Sequence, residues 1–198
     1  MRSRQYIIAI TGASGANYAT RTIDGLEAAG HHVHLVVSPL GRRLLSDELD
    51  IRELRPETLI ARPSDRLAIH PYNDVGSILG SGSFQTAGMA IVPCSANTLG
   101  QVAGGIGENL IARAAAVTLK ERRRLVLAYR EMPMSRIDLE NALRADAAGA
   151  VFCPANPGFY LRPQTVAEVV DMVAGKVLDL LGVDHPWKTR WKGTDTGE

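Results

Sequence analysis

The most restrictive feature of this sequence is a regular alternation of short apolar runs with longer stretches of helical composition. The first run ends at a glycine-rich turn, and a helical stretch follows it. Because the runs are continuously apolar, they predict parallel strands covered by helices on both faces, in a single-domain three-layer α/β fold. The predicted strands are Gln5–Ile10, His34–Ser38, Met89–Val92, Leu125–Tyr129 and Ala150–Cys153. The predicted helices are 17–29, 40–49, 99–120 with an interruption around 104–107, 136–147 and 165–181, and the polar stretch 50–70 is expected to be irregular.

Composition excludes several classes of protein. The chain has 198 residues, with 22 Lys and Arg against 21 Asp and Glu, which gives a formal net charge of +1. This balance argues against a nucleic-acid binder, and no stretch approaches the roughly 20 apolar residues of a membrane span. Two isolated cysteines, Cys94 and Cys153, provide neither a disulfide framework nor a metal motif. We expect a cytoplasmic protein without nucleic-acid or membrane partners, with one domain at 1–181 and a C-terminal extension at 182–198.

The ligand of a parallel α/β sheet binds beyond the carboxyl ends of the strands. Five segments follow the predicted strands directly: 11–16, Ser38, 93–98, 130–131 and 154–162. The first, TGASGA, leaves backbone N–H groups free at a helix start, where geometry and the helix dipole favour a phosphate. Ser14 adds a hydroxyl donor. A glycine-rich turn that merely packs tightly would explain this motif equally well.

A second turn, PCSANT, offers three polar side chains at the start of another helix: Ser95, Asn97 and Thr98. One of them could serve only as a helix cap, but three in four residues exceed what a cap requires. Together, the two turns suggest a ligand with a phosphate and a polar ring. Cys94, directly after a buried strand, is interpreted as a core residue.

Charged residues cluster in the segment KERRR (120–124) and directly after the strand predicted to follow it. Arg123 and Arg124 are interpreted as solvated cations at a helix C-terminus. Arg130 and Glu131 are different, because they directly follow a buried strand, where an unpaired charge is costly. They form either a structural ion pair or a functional set with a phosphate-binding arginine and a proton-transferring glutamate. No histidine spacing predicts a metal site, and no hydrolase triad can be assigned.

The motifs together resemble the UbiX-type flavin prenyltransferases, which share a Rossmann-like (flavodoxin-like) fold with peptidyl-cysteine decarboxylases. The similarity runs over nearly the whole chain: ITGASGA (10–16), SGSFQTAGM (81–89), VPCSANTL (92–99), ARAAAVTLKERRRLVLAYREMP (112–133) and FYLRP (159–163). It implies that the chain binds reduced FMN and joins a dimethylallyl group from dimethylallyl phosphate to N5 and C6 of the flavin. The product, prenylated FMN, would pass to a UbiD-type decarboxylase.

The resemblance also implies roles for individual residues. The implied flavin contacts are Gly12, Ala13, Ser14, Ser38, Ser95, Ala96, Asn97, Thr98 and Arg130. The implied prenyl-phosphate contacts are Tyr160, Lys176, Arg113, Lys120 and Arg130, of which Arg113 and Lys120 would come from a neighbouring subunit. Glu131 would act as the acid and base, with a proton relay through Ser14 and with Lys120 stabilising the departing phosphate. A dodecamer built from trimers is expected, without a metal.

Two departures from the family pattern keep alternatives open. Lys176 stands where some members carry arginine, which would lose bidentate phosphate binding but keep the charge. The segment PCSANTLGQVAGGIGENL is similar to the cysteine-decarboxylase branch, but Leu79–Ser81 stand where that branch has its catalytic histidine. The alternatives are therefore an FMN-dependent cysteine decarboxylase and a non-catalytic flavin-carrying subunit of a hydroxyarylic acid decarboxylase.

Overall fold

The structure is a computed structural model that describes residues 3–190. Within that range six strands form one sheet in the order β3-β2-β1-β4-β5-β6, and all neighbours pair in parallel. The strands are β1 (Gln5–Ile10), β2 (His32–Val37), β3 (Leu67–His70), β4 (Gly88–Cys94), β5 (Arg124–Tyr129) and β6 (Val151–Pro154). The helices are α1 (Ala16–Ala28), α2 (Pro39–Leu49), α3 (Pro56–Ile60), α4 (Ala96–Gly104), α5 (Leu110–Lys120), α6 (Arg136–Ala147) and α7 (Val166–Leu181). The predicted three-layer, Rossmann-like fold is confirmed.

The sheet is buried on both faces, as the continuous apolar runs predict. In β1, Ile8 and Ile10 belong to the core under α1 and α7, whereas Ile7 and Ala9 belong to the core under α4, α5 and α6. Side chains of a strand alternate between its two faces, so a strand between two helical layers has to be apolar at every position. The strand order reverses between β1 and β4, which leaves a crevice at their carboxyl ends.

The prediction of an irregular stretch at 50–70 was wrong. This stretch contains the short helix α3 and the strand β3, so the sheet has six strands rather than the five predicted. Within the described sheet β3 pairs only with β2, and it is four residues long, with Ala68 exposed. An edge strand of this length does not need a continuous apolar run, and the sequence therefore carries little signal for it.

The break predicted in the helical stretch 99–120 is confirmed. Gly105 has a φ of 68° and ends α4 in the left-handed conformation, which glycine adopts without a steric penalty. Asn109 begins α5, because its side chain accepts a hydrogen bond from the amide of Ala112 at 3.0 Å.

The chain continues beyond α7 after Gly182, which has a φ of 73°. Residues 183–190 return over α7 and α1, and the rest of the predicted extension, 191–198, lies outside the described residues. The division into a domain and an extension stays a prediction. Between residues 3 and 190, no helix combines the length and apolarity needed to cross a membrane.

Candidate active site

Two turns meet at the centre of the carboxyl edge, where β1 and β4 lie side by side. The Thr11 hydroxyl donates to the carbonyl of Pro93 at 2.8 Å and accepts from the amide of Ser95 at 2.9 Å. Thr11 is buried, so these bonds satisfy a hydroxyl that water does not reach. They hold the turn after β1 against the turn after β4, which is where the strand rule places a ligand.

The polar residues of the PCSANT turn divide into two groups. The Ser95 Oγ accepts from the Thr98 amide at 3.3 Å and lies 3.1 Å from the Thr98 hydroxyl. The cap interpretation therefore accounts for Ser95 and for the buried Thr98. It does not account for Asn97, which is exposed in the first turn of α4, just after the half-buried Ala96.

The start of α1 already holds an anion, which is a side chain of the protein itself. The amides of Gly15 and Ala16 donate to the Glu48 carboxylate at 3.0 Å and 2.8 Å. A carboxylate is stabilised at this helix end for the same reasons that would favour a phosphate there. The anion-binding property expected of the TGASGA turn is therefore present, with Glu48 as its partner in this structure.

The predicted flavin contacts of the first turn lie just before these amides. Gly12 packs closely against α2, since a Cβ at Gly12 would lie 2.7 Å from the Cβ of Leu40. Ala13 is buried, whereas Ser14 is exposed. Ser14 is therefore open to solvent or to a ligand, whereas Gly12 and Ala13 pack against the fold.

Ser38, at the end of β2, caps α2. Its Oγ accepts from the Gly41 amide at 3.0 Å, and the residue is buried. A hydroxyl that accepts a cap bond still has its own proton to donate. Gly41 allows α2 to start close to β1, because a Cβ there would lie 2.5 Å from the carbonyl oxygen of Ile10. Ser38 is therefore held beside the first turn.

Arg130 connects the end of β5 with the crevice. Its amide donates to the carbonyl of Cys94 at 3.2 Å, and its side-chain Nε is buried without a hydrogen-bond partner among the described residues. Burial raises the pKa of the Tyr18 hydroxyl, while the charge of Arg130 lowers it and that of Glu48 raises it. Arg130, Tyr18 and Glu48 are therefore close enough to influence one another. A buried cationic donor without a partner fits an anionic or carbonyl-rich ligand such as a flavin phosphate.

Glu131 does not pair with Arg130, so the structural ion pair considered from the sequence is not formed. The Glu131 carboxylate instead accepts from the amide of Met132 at 3.2 Å, and the side chain is exposed. It lies at the carboxyl edge, directly after β5, where it can exchange protons with solvent or with a ligand.

Tyr160 and Lys176 share a cavity of about 450 Å³ at the carboxyl end of β6. Its walls come from Cys153, the 156–160 segment, α7 and residues 189–190. Asp179, one turn after Lys176 on α7, also lines the cavity but pairs with Arg190 rather than with Lys176. The cavity thus combines a phenol and an ammonium group, both of which can donate hydrogen bonds to an anion.

Lys120 and Arg113 do not reach this cavity within their own chain. Lys120 is at the C-terminus of α5, at the opposite edge of the sheet, where it pairs with Glu121 at 2.9 Å. Arg113 lies seven residues earlier on the same helix and packs beside Gly80. A Cβ added to Gly80 would lie 3.2 Å from the Arg113 Cγ. Seven residues are two helical turns, so both cations lie on one side of α5. Neither of them lines the cavity of its own chain.

The interpretation of Arg123 as a solvated cation was wrong. Arg123 is half-buried and donates to the carbonyls of Gly82 and Phe84, both at 2.6 Å. These two bonds fix the position of the segment 81–84, called the SGSF loop, which precedes β4. Arg124 is exposed but donates to the carbonyl of Leu180 at 2.6 Å. Cys94 is a core residue as predicted, and burial raises the pKa of its thiol.

Comparisons with known proteins agree with this architecture. The Flavoprotein family model matches residues 1–179. The chain is 42% identical over 190 residues to the flavin prenyltransferase UbiX of Halalkalibacterium halodurans, covering 94% of this chain and 92% of the relative. The chain belongs to the flavoprotein family and, within it, to the UbiX-type flavin prenyltransferases.

Solved structures of this family superpose closely. AnUbiX (PadA1), solved with FMN and dimethylallyl pyrophosphate, has a TM-score of 0.88 at 37% identity, covering 97% of this chain and 99% of that one. A dodecameric FMN-dependent UbiX-like decarboxylase from Escherichia coli O157:H7 has a TM-score of 0.86 at 37% identity, covering 96% and 100%. A PPC decarboxylase, at 17% identity and a TM-score of 0.59 over 79% and 84%, shares the fold alone. These values favour the prenyltransferase over the cysteine-decarboxylase alternative.

Sequence reasoning missed two residues of the candidate site. Glu48 contacts the turn after β1 from 32 residues away, and nothing in the composition of α2 indicates that contact. Arg190 belongs to the predicted C-terminal extension, to which no role in the site was assigned, yet it lines the cavity. Arg190 belongs to no motif that would have distinguished it from the other charged residues of 182–198.

Proposed function

We propose that this enzyme joins the dimethylallyl group of dimethylallyl phosphate to N5 and C6 of reduced FMN and releases phosphate, giving prenylated FMN. The observation that carries the proposal is the position of Tyr160 and Lys176, which share a cavity at the same edge of the sheet as the crevice beside Arg130. The relative from Halalkalibacterium halodurans is a flavin prenyltransferase, and AnUbiX was solved with FMN and dimethylallyl pyrophosphate.

The flavin would be held by the turns along the carboxyl edge. The proposed contacts are Gly12, Ala13, Ser14, Ser38, Ser95, Ala96, Asn97, Thr98 and Arg130. The buried Nε of Arg130 supports this assignment, because a ligand oxygen would supply the partner that the described part of the protein does not. The reduced flavin supplies the nucleophilic atoms N5 and C6. The residues of the chain bind it, orient it and exclude water from it.

The donor phosphate would bind Tyr160 and Lys176. Dimethylallyl phosphate reacts poorly until the charge that develops on the departing phosphate is stabilised. The Lys176 ammonium and the Tyr160 hydroxyl can provide that stabilisation, and Arg130 adds positive charge from the flavin side. As the carbon–oxygen bond breaks, the electron pair leaves with the phosphate.

Arg113 and Lys120 would complete the phosphate site from a neighbouring subunit. Both are exposed and lie on one side of α5, and so they are available to a second copy. The UbiX-like relative from E. coli is dodecameric. We infer a dodecamer of trimers for this chain too, with each cavity completed across a subunit contact and with Lys120 stabilising the departing phosphate.

Glu131 is the proposed acid and base. Its exposed carboxylate can give a proton to the departing phosphate. It can also take up the proton that C6 loses when C6 bonds to one alkene carbon of the transferred group, while the neighbouring alkene carbon gains a proton. Ser14, exposed in the turn after β1, would relay protons to it. Within residues 3–190 Glu131 makes no ion pair that the reaction would have to break, and its contact with Met132 is a single backbone hydrogen bond.

The product would pass to a UbiD-type decarboxylase, which uses prenylated FMN as its cofactor. We place the reaction in the cytoplasm, where the two free thiols Cys94 and Cys153 stay reduced. Within the chain we assign flavin binding to 1–181 and treat 182–198 as an extension that closes the donor side.

Anaerobic incubation with reduced FMN and dimethylallyl phosphate tests the proposal. The mass spectrum of the extracted flavin should gain one isoprene unit, and Glu131→Gln should slow this by roughly 10²–10⁴-fold without weakening FMN binding. Glu140→Gln is the matched control, since Glu140 is an exposed acid on the adjacent helix. Unmodified FMN with the wild type contradicts the proposal. Release of CO₂ from a C-terminal cysteine peptide would support the decarboxylase alternative, and equal behaviour of wild type and Glu131→Gln would support a flavin carrier.

A further inference from the structure

The segment Asp184–Arg190, called the strap below, meets one carboxylate of the body of the fold near both ends and is hydrogen-bonded to it at the far end. Asp179 on α7 lies 3.3 Å from the Nε2 of His185 and accepts from the Nε of Arg190 at 3.0 Å and from its Nη2 at 2.5 Å. The His185 side chain is 1% exposed, so the near end of the strap is deeply packed. A single acid therefore contacts the strap where it begins and where it ends.

The middle of the strap fits into space that two glycines provide. A Cβ at Gly25 of α1 would lie 2.8 Å from the Trp187 ring, and a Cβ at Gly175 of α7 would lie 2.8 Å from the Thr189 Cγ2. The Arg21 guanidinium stacks over the Trp187 ring at 4.1 Å. Glycine inside a helix costs roughly 1 kcal/mol relative to alanine, so both helices accept a loss of stability that the packed strap offsets.

The far end of the strap forms a wall of the donor cavity. Thr189 and Arg190 line it together with Tyr160 and Lys176, and the Tyr160 hydroxyl lies 3.5 Å from the Thr189 carbonyl oxygen. The strap thus determines both how far the cavity is open and where the Tyr160 ring can rest. Moving it would leave one side of the cavity open to water.

From these contacts we infer that Asp179 is a positioning residue for the prenyl donor, which it serves by holding the strap through Arg190. The inference rests on the proposed function, since it assigns a task within the donor site. Asp179 itself is an unfavourable neighbour for a phosphate, because both carry negative charge. The position of Asp179 beside Lys176 is explained by its hydrogen bonds to Arg190, which hold the strap.

The sign of one measurement separates this role from simple electrostatics. If Asp179 acted only through its charge, Asp179→Asn would strengthen phosphate binding and lower KM for dimethylallyl phosphate. The positioning role requires the opposite: KM should rise by about tenfold, the effect of losing a charge-assisted hydrogen bond that orders the wall. The dissociation constant for FMN should not change.

A double-mutant cycle extends the test. Asp179→Asn and Arg190→Gln remove the two sides of one anchor, so each should raise KM and the double variant should be no worse than either alone. Asp184→Asn is the matched control, because Asp184 is an exposed acid only 3.8 Å from Arg190. It should leave KM unchanged. An unchanged or lowered KM in Asp179→Asn, or a double variant restored to the wild-type KM, overturns the inference.

A second measurement keeps the inference testable if no prenyl transfer is found. Trypsin should cut after the exposed Lys188 faster in Asp179→Asn than in the wild type or in Asp184→Asn, with the full-length chain and mass spectrometry of the released peptide as readout. Equal cleavage rates in the three proteins would show that Asp179 does not hold the strap. Failure of the wild type to modify FMN would instead contradict the proposed function and leave the cleavage result to decide the inference.

Discussion

The crevice beside β1 and β4 and the cavity at the end of β6 lie at the same edge of the sheet, yet they are built differently. In the crevice most polar groups already have protein partners: Thr11 bonds to Pro93 and Ser95, and Glu48 bonds to the start of α1. In the cavity, the acid nearest to Lys176 along α7 is engaged by the strap.

This difference separates two kinds of contribution. Groups that bond within the protein before any ligand arrives contribute to the stability of the fold and to the shape of the site. Groups that are held in place while their charge stays available contribute to binding and chemistry. Substitution of a group that bonds within the protein should therefore change the free energy of unfolding. Substitution of a group whose charge stays available should change kinetic constants.

Lys176→Gln gives the largest expected effect and tests the cavity side of the comparison. Loss of the ammonium removes a charge that stabilises the departing phosphate, so kcat/KM for dimethylallyl phosphate should fall by about 10²–10³-fold. The melting temperature should stay within a degree or so, because Lys176 is exposed and pairs with no acid of α7. Steady-state kinetics and thermal unfolding of the same preparation check both parts.

Lys188→Gln is the control for Lys176→Gln. Lys188 is an exposed lysine on the strap and lies outside the walls of the cavity. Its loss should change neither quantity. If Lys176→Gln kept its kcat/KM, the cavity at the end of β6 would not be the donor site, and the contrast between the two regions would fail at its first step.

A histidine pair on the β2–β3 side of the sheet gives an intermediate effect, on stability and its dependence on pH. The Nδ1 of His34 lies 2.9 Å from the Nε2 of His70, and the Nε2 of His34 lies 2.7 Å from the Gln5 Oε1. With Gln5 accepting, His34 can stay neutral and accept from His70. Burial, and after it the charges of His70 and His32, lower the pKa of His34 from 6.5 to about 4.

The lowered pKa fixes the sign of the effect. Between pH 4 and pH 6.5 the unfolded chain binds more protons at His34 than the folded chain does, so stability is complete above pH 6.5 and is lost as the pH falls through this window. The shift corresponds to about 3 kcal/mol, which solvent screening of a half-buried ring reduces, so the free energy of unfolding should drop by on the order of 2 kcal/mol across it. His34→Gln should flatten this dependence in urea titrations at several pH values, whereas His32→Gln, which removes only the last-ranked cause of the lowered pKa, should change it far less. An equally steep slope in His34→Gln would contradict the assignment.

Much of the fold could be predicted from the sequence because its signals are local. The continuous apolar runs identified five strands of the six-stranded sheet, and the glycines and caps identified the helix ends. The strand β3 was missed because it lies at the edge and pairs on one side only. Residues of the site at strand ends, such as Arg130, were located by the same local rule.

Contacts between distant elements could not be predicted in this way. Glu48 binds the start of α1, Arg123 binds the carbonyls of the SGSF loop, and Asp179 binds the strap. Each of these residues reads in the sequence as an ordinary surface charge, and only the packing of the elements decides which polar group it meets. Lys120 is a second example of this limit of local patterns. Its motif assigns it to the donor phosphate, but within one chain it pairs with Glu121 and does not line the cavity.

Glu48→Gln gives the smallest expected effect and tests the crevice side of the comparison. The carboxylate neutralises the positive end of α1 and accepts from two amides, at 3.0 Å and 2.8 Å, and a neutral amide would keep only part of this interaction. The free energy of unfolding should fall by about 1 kcal/mol, which corresponds to roughly 2–4 °C in melting temperature for a chain of this size. Asp47→Asn, at an exposed neighbour that pairs only across one turn with Arg43, should change it by much less. If the two variants melted together, the Glu48 contact would contribute nothing, and the crevice would be as open to ligands as the cavity. A drop confined to Glu48→Gln would show instead that the turn after β1 is assembled before any flavin arrives.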